Sequence, residues 1–176
     1  DVLPGDEIPW HWHNELEFGL ITSGMAVVDA GCMKYQLKAG EAFFINSNIL
    51  HAASILDENL CEIHSVVCHP RAISGSTDNI IWQKYVKPLM ENQACQGFHF
   101  TPDTAWQKQV IDSIASLWRS AEQEEYGFEM HIRNELSTIM ALLSEHQPAV
   151  SRKSFGKEQR DNARIKEMLT FIQSNY

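Results

Sequence analysis

The stretch WHWHNELEFG, residues 10–19, sets two imidazoles two positions apart and a carboxylate four positions beyond the second: His11, His13 and Glu17. On an extended chain, side chains two apart share a face. His11 and His13 therefore point the same way if this stretch is a strand. Glu17, on the next run, can approach them across a hairpin, and His51 begins another strand candidate. Three imidazoles and one carboxylate converging in a sheet-enclosed hollow suit Zn²⁺, Fe²⁺, Mn²⁺ or Ni²⁺, and ligand type alone does not choose among these. The same residues also suit two other uses: hydrogen-bonding groups around an organic ligand, or polar groups with a structural role. A glutamate buried in such a hollow needs a partner, which a metal or a ligand supplies.

Other residues are candidates by phase. Glu62 and His64 share one face of the strand candidate CEIHSVVC with Val66 and Cys68. If that face lines the hollow, Glu62 and His64 are ligand contacts. The competing inward face is Cys61, Ile63, Ser65 and Val67. Trp10, Trp12, Phe43 and Phe44 can stack on a ligand or fill a core, and Trp12 is taken as a ligand contact. Trp106 and Trp118 read as core or dimer contacts. His99 and His131 are isolated and receive no role. The four cysteines form no CxxC pair, which points to reduced thiols rather than a disulfide framework.

These side chains need a scaffold, and residues 1–70 read as β. Turn signals TSG, DAG, KAG and NSN recur every ~7–9 residues between the runs LEFGLI, MAVVDA, MKYQL, AFFI, HAASIL and CEIHSVVC. Strands this short and evenly spaced predict a sandwich or barrel. The period changes after residue 70. NIIWQKYVKPLMEN, residues 79–92, predicts a short helix interrupted at Pro88. TPD at 101–103 predicts a helix start with Thr101 as N-cap, followed by Trp106, Val110, Ile114, Leu117 and Ala121 three or four apart. Beyond Gly127, Ile132, Leu136, Ile139, Met140 and Leu143 mark a second helix, antiparallel to the first. Residues 147–161 are polar, with Pro148 and Gly156, and read as a linker. Ile165, Met168, Leu169, Ile172 and Tyr176 form a last amphipathic segment.

Charge is divided along the chain. Residues 1–146 hold 8 Lys/Arg and 20 Asp/Glu, a balance of −12; residues 147–176 hold 6 and 3, a balance of +3. Nucleic-acid phosphates repel an acidic body, so any contact with DNA is expected from another part. With 176 residues, 44% of them hydrophobic, the chain has about one domain with an appendage. No apolar run reaches the ~18 residues of a membrane span. No signal peptide is visible, and the first residue, Asp1, suggests a start inside a longer gene product. A cytoplasmic location is expected.

The spacing Gly5, His11, His13, Glu17, Gly24 resembles the first cupin motif at every fixed position. In the second motif Gly40 and His51 are kept, while Asn46, Asn48 and Ile55 replace the usual proline, glycine and asparagine. The resemblance implies a mainly β chain with added α: a cupin (jelly-roll type) antiparallel β-barrel followed by an antiparallel helix pair. It also implies that His11, His13, Glu17 and His51 stand where cupins hold metal, although in regulator cupins these positions often only line an effector pocket. HWHNELEFGLITSG, MKYQLKAGEAFFINSNILHAA, EEYGFEMHIRNELSTIMALL and RIKEMLTFIQSNY together resemble the effector domain of AraC-type transcription regulators. The expected division is 1–100 for the barrel with a short helical segment, 101–146 for a dimerising helix pair, 147–161 for the linker and 162–176 for the first helix of a DNA-binding domain that continues past Tyr176. The implied function is sensing of a small polar effector such as a sugar, in a homodimer that meets DNA only through that further domain. A cupin metalloenzyme, a dioxygenase or isomerase with a 3-His/1-Glu site, is the competing expectation.

Overall fold

The computed structural model describes residues 7–56, 61–148 and 158–175. Among them, eight strands form two four-stranded antiparallel sheets. The strands are β1 (Glu7–His11), β2 (Leu16–Ser23), β3 (Met25–Ala30), β4 (Met33–Lys38), β5 (Ala42–Ile45), β6 (His51–Ile55), β7 (Glu62–Cys68) and β8 (Gly97–Phe100). One sheet has the order β1-β6-β3-β4, the other β7-β2-β5-β8. Their inner faces meet in an apolar cluster that includes Ile21, Val28, Phe43, Ile45 and Ala53. The fold is the expected mainly β barrel of cupin type, followed by helices.

In the β7-β2-β5-β8 sheet, the central strands β2 and β5 are buried on both faces. Phe43 and Ile45 of β5 join the inner cluster, whereas Ala42 and Phe44 pack outward against helices. In β2, Ile21 turns inward while Leu16, Phe18 and Leu20 turn outward. Burial on two faces explains why AFFI reads as a continuous apolar run rather than an alternation. The covering layer is the helix pair α3 (Ala105–Gln123) and α4 (Phe128–His146), joined by four residues and packed side by side. Val110, Ile114 and Leu117 of α3 and Leu136, Ile139 and Leu143 of α4 are fully buried, each contributing roughly 1.5–3 kcal/mol.

Several local expectations are corrected. α3 begins at Ala105, three residues after Pro102: Thr101 Oγ1 donates to Asp103 Oδ2 (2.7 Å), closing a turn, and extended Thr104 is the N-cap. Pro88 does not interrupt its helix. The helix widens into a π-turn over Trp82–Val86 and runs on as α2 (Lys87–Glu91), an adjustment that accommodates a residue without an N–H. A short helix, α1 (Arg71–Ser74), precedes it. β8 has no clear signal in the sequence. Gly97 lets it close on β5, since a Cβ there would stand 2.9 Å from the Phe44 carbonyl oxygen. The last helix, α5 (Glu158–Asn175), takes in the last four residues of the expected linker, 158–161. Gly5, most of that linker and Tyr176 lie outside the described residues. Among these residues, no helix is long and apolar enough to cross a membrane.

Candidate metal and ligand site in the barrel

β1 pairs with β6 so that His11 stands opposite His51, after a register shift between Ile8 and His11. Their rings are 4.1 Å apart. His13 lies beyond the end of β1, in the turn into β2, and its ring is 5.0 Å from that of His51. Glu17, the second residue of β2, shares the inward parity of Ile21 and closes the group: its Oε2 is 3.1 Å from His51 Nε2 and 3.3 Å from His13 Nε2. One donor atom from each of His11, His13, Glu17 and His51 lies within 4.8 Å of the others. The four residues named from spacing therefore converge.

The protons are oriented by the backbone. Nδ1 of His11 faces Pro9 O (2.8 Å), Nδ1 of His51 faces Ile49 O (2.8 Å) and Nδ1 of His13 faces Glu15 O (3.3 Å). A carbonyl only accepts, so each Nδ1 carries a hydrogen, and a neutral ring presents its Nε2 lone pair to the centre. Two such lone pairs beside a carboxylate oxygen repel one another unless a cation or added proton lies between them. His51 Nε2 is buried, and Glu17 Oε2, 3.1 Å away, does not meet it in hydrogen-bond geometry. Backbone-held imidazoles, one carboxylate and this orphaned nitrogen fit a divalent transition metal. The donor atoms, all within 4.8 Å of one another, would need only small side-chain movements to close around one ion. Burial raises the Glu17 pKa, but His51, the Ser65 hydroxyl and His13 outweigh it and hold the carboxyl below its ordinary value. Ser65 Oγ donates to Glu17 Oε1 at 2.8 Å.

The cluster opens onto a cavity of about 230 Å³ between the sheets, walled by Ile8, Val28, Phe43, Ile45, Ala53 and Ile63 among others. The family profile of the AraC-like ligand binding domain matches residues 3–136. The chain belongs to this family. A curated relative, the uncharacterized HTH-type transcriptional regulator YdeC of Bacillus subtilis (strain 168), is 24% identical over 169 residues, spanning 96% of this chain and 56% of that protein. The chain thus matches little more than half the length of that relative. Among solved structures, ToxT from Vibrio cholerae O395 bound to (E)-4-(8-methylnaphthalen-1-yl)but-3-enoic acid superposes with a TM-score of 0.57 at 10% identity, over 94% of this chain and 62% of that one. The apo K231A variant of ToxT from Vibrio cholerae strain SCE256 gives 0.57 at 10% identity over 95% and 62%. At such identity the likeness is one of fold. The family and the curated relative are those of transcriptional regulators, not of enzymes.

Three other candidates of this AraC-like domain lie apart from the cavity. Register explains two. β7 pairs with β2 so that Ile63, Ser65 and Val67 face Ile21, Gly19 and Glu17 on the inner side, while His64 and Val66 face Leu20 and Phe18 on the helix side. His64 is stacked on Trp118 of α3 (3.6 Å, 10°) and lies 3.1 Å from Glu62. Neither Glu62 nor His64 lines the cavity. Trp12 does not line it either: it lies beneath Lys166 of α5, whose ammonium is 5.7 Å from the ring centroid. Trp106 stacks on His146 at the end of the helix pair, and His99 pairs with Glu41 at 2.9 Å.

The turn beside the cluster is built by residues that the sequence marks only as departures from the cupin motif. Asn46, 2% exposed, donates through Nδ2 to Leu89 O and Cys95 O, both at 2.8 Å. Asn48 adopts φ 62°, the left-handed conformation for which the cupin motif carries glycine and which asparagine tolerates. Its N–H donates to His13 O at 2.8 Å. Lys166 Nζ donates to Asn48 O and, at 2.9 Å, to Asn48 Oδ1. The departures from the cupin motif marked this turn, but nothing in the sequence pairs it with Lys166.

Proposed function

We propose that this chain is the effector-sensing part of an AraC-type bacterial transcription regulator. A small molecule enters the barrel cavity, and its polar end meets His11, His13, Glu17 and His51. A divalent metal such as Zn²⁺, Ni²⁺, Mn²⁺ or Fe²⁺, held by these four residues, supplies a Lewis-acid anchor for that end. The helix pair α3–α4 forms a homodimer seam, and α5 opens a DNA-binding domain. DNA contact belongs to that domain, in the cytoplasm.

The observation that carries this reading is the chain of contacts from cluster to helix: His13 O to Asn48 N–H, and Asn48 O and Oδ1 to Lys166. Binding that moves His13 moves the turn on which α5 rests. Such a signal needs a ligand that binds two arrangements of α5 with different affinity. The test is hydrogen exchange of α5 amides as the cluster is loaded, with a gel shift on residues 1–146. Protection of α5 should change on loading, and residues 1–146 alone should not bind duplex DNA. Tight, sequence-selective DNA binding by residues 1–146 would refute the proposal.

A further inference from the structure

We infer that the barrel accepts a compact, largely apolar molecule with a single polar head, rather than a polyol such as a sugar. This rests on the effector reading above and adds the chemical class of the ligand.

The wall decides it. The polar residues lining the cavity are His11, His13, Glu17, His51 and Ser65, and they form one cluster: donor atoms of the first four lie within 4.8 Å of one another, and Ser65 bonds Glu17 at 2.8 Å. The remaining lining is aliphatic or aromatic, with no lysine, arginine, asparagine or glutamine among the described residues. Most of the polar groups present are already engaged. The three Nδ1 atoms face backbone carbonyls, and the Ser65 hydroxyl donates to Glu17. What is left for a ligand is the Nε2 edges and the Glu17 oxygens, a patch the size of one functional group.

A five-carbon sugar carries hydroxyls around its whole ring. Turned toward Val28, Phe43, Ile45 or Ile63, each unpaired hydroxyl costs roughly 1–3 kcal/mol. Two or three of them cancel the binding free energy of so small a molecule. An apolar body instead gains ~25 cal/mol for each Å² it removes from water. Volume sets the size: at ~30 Å³ per water, 230 Å³ corresponds to roughly eight waters, hence a single ring or a short branched chain.

The test titrates the zinc-loaded and the chelator-treated chain with benzoate, phenol and isobutyrate as apolar probes, and with L-arabinose and glycerol as polyols. Binding is read by calorimetry and by the methyl resonances of Ile45 and Ile63. At least one apolar probe should bind tenfold or more tightly than either polyol and shift those methyls. Ala53→Leu, which fills the cavity, should weaken that probe tenfold or more; Ile80→Ala, at an exposed position away from the cavity, should keep it. A polyol that binds as tightly as the best apolar probe, or the absence of apolar binding in both metal states, overturns the inference. The effector reading fails separately: an apolar probe that binds but leaves α5 amide exchange unchanged supports the ligand class and sinks the sensor.

Discussion

Gly19 stands opposite Phe43 in the β2–β5 register, and a Cβ on it would lie 2.1 Å from Phe43 Cζ and 2.3 Å from Cε1. Carbon atoms in contact sit ~3.5–4.0 Å apart, so Gly19→Ala requires the ring to retreat by about 1.4 Å or more. Phe43 is 3% exposed, so the ring has no way out to solvent. The open side is the cavity it lines. Overpacking of this kind costs about 1–3 kcal/mol, and for a chain of this length each kcal/mol lowers Tm by ~2–4 °C. Gly19→Ala should therefore lower Tm by about 2–12 °C in a calorimetric scan and weaken any cavity ligand. No positive φ is involved at Gly19, so the effect is steric and has a built-in control. In a Phe43→Leu background the same change should cost at least 1 kcal/mol less, since contacting residues couple. Additive losses, or an unchanged Tm in the single variant, would refute the packing argument.

Metal loading should raise Tm: at a free concentration 100 times Kd the stabilisation is ~2.7 kcal/mol, about 5–11 °C. His51→Ala and Glu17→Gln should each cut metal retention in equilibrium dialysis tenfold or more. Lys166→Ala removes the contacts to Asn48, which are partly exposed and worth about 1 kcal/mol; α5 amides should exchange about fivefold faster while barrel amides are unchanged. Burial raises the Cys95 thiol to about 11, and burial with Glu15 raises Cys68 to about 12. Their thiolate fractions at pH 8 are then only ~10⁻³ and ~10⁻⁴, so mass spectrometry after iodoacetamide should find both unmodified in the native protein and alkylated after urea. Asn46→Ala leaves the carbonyls of Leu89 and Cys95 without their shared donor, an expected loss of ~2–4 kcal/mol in denaturant unfolding.

The chemistry of the cluster and the existence of most strands were legible in residue order alone. Imidazole, imidazole and carboxylate at fixed offsets, and short runs between turn residues, are local properties, and MAVVDA and AFFI became β3 and β5 without adjustment. Helix stripes were equally legible, because a 3.6-residue period survives wherever one face is buried. Tertiary structure decided which face of each strand looks inward. β7 carries polar and apolar residues on both faces, so Glu62 and His64 were as plausible inside as Ile63 and Ser65; only the register against β2, with Glu17 opposite Val67 and Leu20 opposite His64, settles it. The same holds for Trp12 and Lys166, 154 positions apart. A strand's alternation specifies two faces, but the neighbour that covers each is set by pairings far away in the chain, and no local pattern records them.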